Sequence, residues 1–150
     1  VAEGFAAVQM PGRFEVVGRE PTVILDAAHN ADGARACAET LREEFTLGGT
    51  IVMVAGFLEG RDPVEMLDAL GAADAGLLIA CSPDSPRAIP APRVAAAADS
   101  LGVAAESVPT VDEAVRRAMG VASVDDLVLI TGSLYVVGPA RTALRAEVES

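Results

Sequence analysis

The sequence has 150 residues, of which 51% are hydrophobic and 3% aromatic, and its side chains give a formal net charge of −11. This length and hydrophobicity predict one folded domain and exclude an intrinsically disordered chain. The negative charge, without any cluster of basic residues, excludes nucleic acids and anionic membrane surfaces as expected partners.

Short apolar segments alternate with alanine-rich amphipathic segments along the chain. Six strands are predicted, at residues 14–17, 22–26, 51–55, 76–81, 104–108 and 127–131. Five helices are predicted from apolar residues at helical spacing, at residues 31–45, 63–70, 92–101, 111–121 and 134–148. Asn30 and Asp62 are typical of residues that cap a helix start. Residues 1–12, which end in the turn dipeptide Pro-Gly, are interpreted as an interdomain connector.

The strand segments 23–25 (VIL) and 127–130 (LVLI) are apolar without interruption, which is typical of strands buried on both faces. Alternation of such strands with helices predicts right-handed crossovers between parallel strands. The expected fold class is therefore α/β. We predict a three-layer sandwich with a Rossmann-like, mostly parallel six-stranded sheet and helices on both faces.

All 11 basic residues are arginines, so the chain has no lysine. This excludes a Walker A phosphate loop, a Schiff-base lysine and a lysine general base within it. Cys37 and Cys81 are too few for a disulfide framework, and we expect both to be reduced core thiols. The N-terminal residues do not have the pattern of a secretory signal, so we expect a cytoplasmic protein without membrane association.

Ligands of open parallel sheets bind at the carboxyl ends of the strands, near the starts of the following helices. Residues 26–30 (DAAHN) lie at such a junction and include the only histidine of the sequence. The carboxylate of Asp26 is suited to accept hydrogen bonds from two hydroxyl groups, such as those of a ribose. His29 is placed to face an anion bound at the helix start. The alternative is that Asp26 and Asn30 only cap the helix and that His29 is a solvated loop residue.

Two further junctions and two arginines are also candidates. Residues 131–133 (TGS) follow a buried strand, where the glycine allows close backbone approach and Ser133 can bind a carboxylate or phosphate. Residues 56–62 (GFLEGRD) form a loop that carries one cation. Arg13, at the entry to the domain, and Arg87, in a proline-rich loop, are suited to contact anionic groups. The alternatives are an N-cap role for Ser133, a surface turn for the loop, and simple surface charges for the arginines.

Residues 11–17 (PGRFEVV), 24–30 (ILDAAHN) and 131–138 (TGSLYVVG) occur in an order and at a spacing that resemble one protein family. This is the folylpolyglutamate synthase/dihydrofolate synthase family of the Mur ligase superfamily. The resemblance covers residues 1–150 as a single C-terminal, glutamate-binding domain. It implies an ATP-dependent ligase that activates the carboxylate of folate or dihydropteroate as an acyl phosphate and joins it to the amino group of glutamate.

The resemblance also implies roles for individual residues. Arg13 resembles the arginine that contacts the phosphates of ATP, and Asp26 resembles the aspartate that holds the ribose. His29 resembles the histidine near the transferred phosphate and the incoming glutamate, and is the expected catalytic residue. The expected substrate-binding residues are Ser133, Asn30 and Arg87. No metal ligand is expected within this chain.

ATP and Mg²⁺ are the cofactors that the resemblance implies, bound mostly by an N-terminal ATPase domain that the 150 residues do not include. We therefore expect an excised or separately produced domain that is monomeric, inactive alone, and partnered by that ATPase domain and by glutamate and folate substrates. Arg61 stands where many relatives carry a lysine, which leaves its role open. The alternative functions are the C-terminal domain of a Mur peptidoglycan ligase and a stand-alone α/β ligand-binding module.

Overall fold

The computed structural model describes residues 13–45 and 48–149, so the predicted connector at residues 1–12 lies outside the described residues. The described part contains six strands: β1 (Glu15–Gly18), β2 (Thr22–Asp26), β3 (Ile51–Ala55), β4 (Leu77–Ala80), β5 (Ala105–Ser107) and β6 (Leu127–Thr131). It contains five α-helices: α1 (Ala31–Glu44), α2 (Pro63–Ala69), α3 (Ala91–Ser100), α4 (Val111–Val121) and α5 (Leu134–Glu149). A short 3₁₀ helix spans Ala72–Asp74.

The predicted elements agree with the structure to within one residue at every end. β4 and β5 are each one residue shorter than predicted at both ends: β4 lacks Gly76 and Cys81, and β5 lacks Ala104 and Val108. β1 begins at Glu15 and not at residue 14, because Phe14 has a φ of 49°, outside the extended region that a strand requires. α3 begins at Ala91, one residue earlier than predicted.

The strands form one six-stranded sheet in the order β1-β2-β6-β3-β4-β5. β1 pairs antiparallel with β2, and every other pair is parallel. This confirms the predicted α/β class with a mostly parallel sheet. The sequence pattern did not predict that the last strand, β6, inserts between β2 and β3.

Alternate residues of the central strands face two separate cores. Ile24 packs with buried residues of α1, α2 and α3 in one core, and its neighbour Leu25 packs with buried residues of α4 and α5 in the other. The sheet is therefore the middle of three layers, with helices on both faces as predicted. Cys37 and Cys81 are buried and free, one in each core, which confirms the prediction of core thiols.

The predicted caps determine where the helices start. The side chain of Asn30 accepts a hydrogen bond from the backbone N–H of Gly33 at 2.8 Å, and Asp62 accepts one from Val64 at 3.0 Å. At the start of α4, Thr110, a cap that the sequence analysis did not predict, accepts a hydrogen bond from the backbone N–H of Glu113 at 3.2 Å, and its hydroxyl donates to the Glu113 carboxylate at 3.2 Å. Among the described helices, none is long and apolar enough to cross a membrane.

The position of β6 creates the crevices in which a ligand of this fold would bind. β2 is followed by α1 on one face of the sheet, whereas the neighbouring β6 is followed by α5 on the other face. Adjacent parallel strands whose helices depart to opposite faces leave a gap at their carboxyl ends. The same divergence occurs between β6 and β3, since α2 packs on the α1 face.

We expect the thermal unfolding midpoint to rise when NaCl is increased from about 0.05 M to about 1 M, because salt screens the mutual repulsion of acidic side chains in a chain of net charge −11. Circular dichroism measures this shift. The double variant Glu39→Gln/Glu43→Gln removes two exposed acids of α1 and should show a smaller response. An equal response in both proteins, or a midpoint that falls with salt, would contradict the explanation.

Candidate functional site

Two cavities open side by side at the carboxyl ends of β2, β6 and β3. The first, which we call the β2 cavity, has a volume of about 370 Å³ and is lined by Arg13, Phe14, residues 26–30, Gly33, Ala36, Cys37 and Thr40. The second, the β6 cavity, has a volume of about 440 Å³ and is lined by His29, residues 58–61, Arg87 and residues 132–135. Their common lining residue is His29.

Asp26 is a buried carboxylate at the wall of the β2 cavity, with only 6% of its surface exposed. It accepts a hydrogen bond from the backbone N–H of Ala28 at 2.8 Å. Burial raises the pKa of Asp26, an effect opposed in part by its hydrogen bonds from Ala28, Cys37 and Phe14 and by the nearby charge of Arg13. A carboxylate has about four acceptor positions, so Asp26 keeps the capacity to accept a hydroxyl group from a ligand.

The backbone at Phe14 positions Arg13 beside Asp26. Phe14 has a φ of 49°, a left-handed conformation that bulky side chains rarely adopt. The centroid of its buried ring lies 6.0 Å from the centroid of the Phe45 ring. Its backbone N–H donates a hydrogen bond to the carboxylate of Asp26. These contacts hold a strained turn in place, and the strain lies at the cavity wall, where such outliers often have a functional reason.

His29 and Asn30 follow on the same loop. Nδ1 of His29 lies 3.4 Å from the carbonyl oxygen of Ala27, and the exposed ring lines both cavities. Asn30 caps α1 through its side-chain oxygen, as the structural alternative predicted, and it lines the β2 cavity. The structure thus places Asn30 apart from Ser133 and Arg87, the two residues with which it was grouped as substrate-binding.

Two glycines bring the loops after β6 and β3 into close contact. Gly132 has a φ of 125°, and a Cβ atom placed on it would lie 1.8 Å from the carbonyl oxygen of Gly56. A Cβ atom on Gly56 would lie 2.8 Å from the carbonyl oxygen of Cys81. The sequence-based expectation of close backbone approach at residue 132 is therefore confirmed.

Ser133 is buried at the start of α5 and serves as its cap. Its hydroxyl oxygen accepts a hydrogen bond from the backbone N–H of Tyr135 at 3.1 Å. The capping alternative is therefore correct, but it leaves the hydroxyl hydrogen available to donate to a ligand in the β6 cavity, which Ser133 lines.

The loops after β3 and β4 pair with each other and position Arg87. Leu58 and Ala88 form an antiparallel bridge, and the backbone N–H of Glu59 donates to the carbonyl oxygen of Arg87 at 2.8 Å. The guanidinium of Arg87 donates back to the carbonyl oxygen of Glu59 at 3.3 Å. This double contact holds Arg87 against the loop that carries Arg61.

The charges of the β6 cavity favour an anion. Arg61 and Arg87 both line it, and neither forms a salt bridge with any residue in 13–45 or 48–149. Glu59 also lines the cavity, but its carboxylate is paired with Arg93 at 2.9 Å. Two arginines, one imidazole and the hydroxyl-bearing residues Ser133 and Tyr135 therefore line a single space in an otherwise strongly acidic protein.

The family model of the Mur ligase, glutamate ligase domain matches residues 12–134 of this chain. The chain belongs to this family. The match confirms the superfamily that the three sequence segments resemble, and the matched range includes Arg13, Asp26, His29 and Ser133.

Individual relatives agree with the family match. The chain is 40% identical over 143 residues to the probable bifunctional folylpolyglutamate synthase/dihydropteroate synthase of Halobacterium salinarum, covering 95% of this chain and 17% of that protein. It is similar to the Mycobacterium tuberculosis folylpolyglutamate synthase complexed with ADP, with a TM-score of 0.82 and 33% identity, over 93% of this chain and 33% of that one.

A third similar structure is a bifunctional folylpolyglutamate synthase/dihydrofolate synthase with Mn, AMPPNP and L-glutamate bound. The TM-score is 0.81 at 31% identity, and the match covers 93% of this chain and 32% of that one. The present chain thus spans a third or less of the length of these relatives.

Sequence reasoning missed two contributors to the site of this Mur ligase domain. Cys37 was interpreted only as a core thiol, but it also contacts Asp26, and burial together with that carboxylate raises the pKa of the thiol. Tyr135 is half exposed at the rim of the β6 cavity. Only Tyr135 had a signal in the sequence, as an aromatic residue close to Ser133. Thr131, which belongs to the predicted junction at residues 131–133, is fully buried in register with Asp26, and its hydroxyl has no hydrogen-bond partner among the described residues.

No group of three or more His, Cys, Asp or Glu side chains in the described ranges is arranged to hold a metal ion. The polar side chains that line the two cavities include arginines, an imidazole, hydroxyl groups and the carboxylates of Asp26 and Glu59.

We expect Gly132→Ala to lower the free energy of unfolding by about 3 kcal/mol or more, because the new Cβ atom overlaps a backbone oxygen and the φ of this residue is unfavourable for alanine. Urea denaturation measures the change. Gly120→Ala in α4 is the control: nothing lies within 4 Å of its Cβ position, so it should stabilise by about 0.5–1 kcal/mol. Equal effects of the two substitutions would contradict the close approach.

We expect Asp26→Asn to unfold at a higher temperature than the wild type at pH 7, with a smaller difference near pH 4. The pKa of Asp26 is raised on folding, so its contribution to stability is present below the unfolded pKa and is lost as pH rises through the folded pKa. Asparagine avoids that loss because it carries no charge.

Asp126→Asn is the control of opposite sign. Hydrogen bonds from the backbone N–H groups of Ser123 and Thr50 lower the pKa of Asp126, so its stabilisation is present at pH 7 and is lost as pH falls through the folded pKa. Asp126→Asn should therefore destabilise at pH 7. A destabilised Asp26→Asn at pH 7 would contradict the account of Asp26.

Proposed function

We propose that this domain supplies part of the glutamate site and part of the nucleotide site of an ATP-dependent ligase that adds glutamate to folate or dihydropteroate. The observation that carries the proposal is the pair of adjacent cavities that share His29, one with a buried carboxylate and the other with two arginines that form no salt bridge to any described residue. One is suited to a nucleotide, the other to a dicarboxylic amino acid.

The reaction has two balanced steps. A carboxylate oxygen of the pterin substrate attacks the terminal phosphorus of ATP, which gives an acyl phosphate and ADP. The amino nitrogen of glutamate then attacks the acyl carbon, the phosphate leaves, and the nitrogen loses a proton to give the amide. Both steps concentrate negative charge on phosphate oxygens, which positioned cations stabilise.

The β6 cavity is the proposed glutamate site. Arg61 and Arg87 supply positive charges for the two carboxylates of glutamate, and the Ser133 hydroxyl supplies a hydrogen bond. Arg87 is held by the pairing of the two loops, so little side-chain freedom is lost when it binds a ligand. Bidentate contacts between arginine and carboxylate favour this ligand class over neutral amino acids.

The β2 cavity is the proposed nucleotide site. Asp26 is suited to accept a ribose hydroxyl, because its carboxylate lies at the cavity wall and one oxygen is oriented by the Ala28 N–H group. Arg13 adds a cation on the same wall for the phosphates. The residues present therefore fit a nucleotide.

His29 lies where the two proposed sites meet, which is where the transferred phosphate would pass between them. The helix start that follows it favours an anion at this position. We propose that Mg²⁺ and the phosphate-binding loop come from an N-terminal ATPase domain, which completes the site. When bound, the metal neutralises phosphate charge.

We expect opposite patterns of loss for two substitutions in ligand titrations followed by NMR chemical shifts on this chain. Ser133→Ala should weaken binding of L-glutamate and leave ADP binding unchanged, whereas Asp26→Ala should do the reverse. Each removed hydrogen bond involves a charged partner and is worth roughly 1.5–3 kcal/mol, or about 10- to 100-fold in affinity.

Thr142→Ala, an exposed substitution on α5, is the matched control and should change neither affinity. Shifts caused by L-glutamate should map to the β6 cavity and those caused by ADP to the β2 cavity. The proposed function is wrong if neither ligand shifts these residues at millimolar concentration, or if both substitutions affect both ligands equally.

A further inference from the structure

The β6 cavity contains one acidic side chain that its proposed ligand should disfavour. Glu59 lies on the same loop as Arg61 and lines the cavity together with Arg61 and Arg87. A carboxylate beside an anion-binding site repels the ligand and competes with it for the arginines. The structure must therefore keep this charge away from the two cations if the cavity is to accept an anion.

Arg93 of α3 holds that carboxylate. Its guanidinium bonds Oε2 of Glu59 at 2.9 Å, and both side chains are about half exposed, at 55% and 51%. An exposed salt bridge of this kind contributes little to stability, so the fold gains little from it.

The position of Arg93 in its helix also indicates that this residue is not there for stability. α3 begins at Ala91, so Arg93 lies in the first turn, where the helix dipole disfavours a cation. No acidic residue occupies this turn. A side chain that opposes a local preference while adding little to stability is more readily explained by function than by folding.

Glu59 has a competing partner within reach. The guanidinium of Arg87 lies 3.3 Å from the backbone carbonyl oxygen of Glu59 itself, so the Glu59 carboxylate is separated from Arg87 by no more than its own side chain. Without Arg93, rotation of Glu59 toward Arg87 would form a new ion pair inside the cavity. That pair would occupy the cation on which an anionic ligand depends.

We propose that Arg93 is a positioning residue that holds Glu59 away from Arg87 and Arg61 and thereby keeps the β6 cavity open to a dicarboxylate. The inference rests on the proposed function, since it takes L-glutamate as the ligand of this cavity. Arg93 does not contact the ligand in this account. Its effect on binding passes entirely through the charge of Glu59.

The test compares four proteins in NMR titrations with L-glutamate at low salt: wild type, Arg93→Gln, Glu59→Gln, and the double variant. Arg93→Gln should weaken binding by about three- to fivefold, the effect of one unpaired charge near the site. Glu59→Gln should bind as tightly as the wild type or more tightly. The double variant should recover wild-type affinity, because no carboxylate remains to compete.

Arg117→Gln is the matched control. It removes the same charge and breaks a comparable exposed pair, with Glu106, but neither residue lines the β6 cavity. It should leave the affinity for L-glutamate unchanged. The loss in Arg93→Gln should also shrink at about 1 M NaCl, where the screening length is about 3 Å, whereas a packing defect would persist.

Each other outcome overturns the proposal. Unchanged binding in Arg93→Gln shows that Glu59 does not compete, and a double variant as weak as Arg93→Gln shows that Arg93 acts directly or through packing. Weaker binding in Glu59→Gln shows that Glu59 itself contacts the ligand. If wild-type protein binds no L-glutamate, the proposed function fails. If the wild type binds L-glutamate but the double variant does not recover the affinity lost in Arg93→Gln, only the role proposed for Arg93 is wrong.

Discussion

β2, β6 and β3 pair in parallel register, with Asp26, Thr131 and Ala55 side by side at their carboxyl ends. The loops that carry His29, Arg61 and Ser133 leave the sheet from this line, while the loop after β4 adds Arg87 and the turn before β1 adds Arg13. Because strand spacing in a sheet is about 4.8 Å, residues that are distant in sequence come within one ligand length of each other. A shift of β6 by one residue would turn Thr131 to the other face and separate Ser133 from His29. The register is secured by β6 itself, which is buried along its whole length.

The close approach of Gly132 to Gly56 follows from this arrangement. β6 and β3 are neighbours in parallel register, so the loops that follow them begin side by side at the edge of the sheet. The backbones of these two loops are in close contact at Gly132 and Gly56. Ser133, the buried side chain that follows Gly132, therefore lines the β6 cavity. The geometry of the site therefore depends on backbone contact more than on side-chain packing, which explains why glycine occupies both positions.

The sequence predicted the elements well and their assembly only in part. β2, β3 and β6 were recognised because continuous apolar segments have few alternatives. Asp26, His29 and Ser133 were selected because they lie at the carboxyl ends of strands and within the segments that resemble the family. The order of the sheet was not predictable from local pattern, since it depends on which crossover passes over which strand. The pairing of Glu59 with Arg93 was missed for the same reason: Glu59 lies on the loop after β3 and Arg93 lies in α3, 34 positions later, so their contact depends on how these elements pack.

Electrostatics predicts that the two cavities alone bind an anionic ligand only weakly. Arg13, His29, Arg61 and Arg87 are all exposed, and exposed charges in water attract an anion only weakly. The net charge of −11 opposes the approach of any anionic ligand from a distance. Both effects reverse when a second surface covers the cavities, because excluding water strengthens nearby attractions more than the distant repulsion of the acidic surface. In the proposed enzyme, closure of another domain over the strand ends would therefore strengthen the binding of phosphate and glutamate by three exposed arginines and the His29 imidazole.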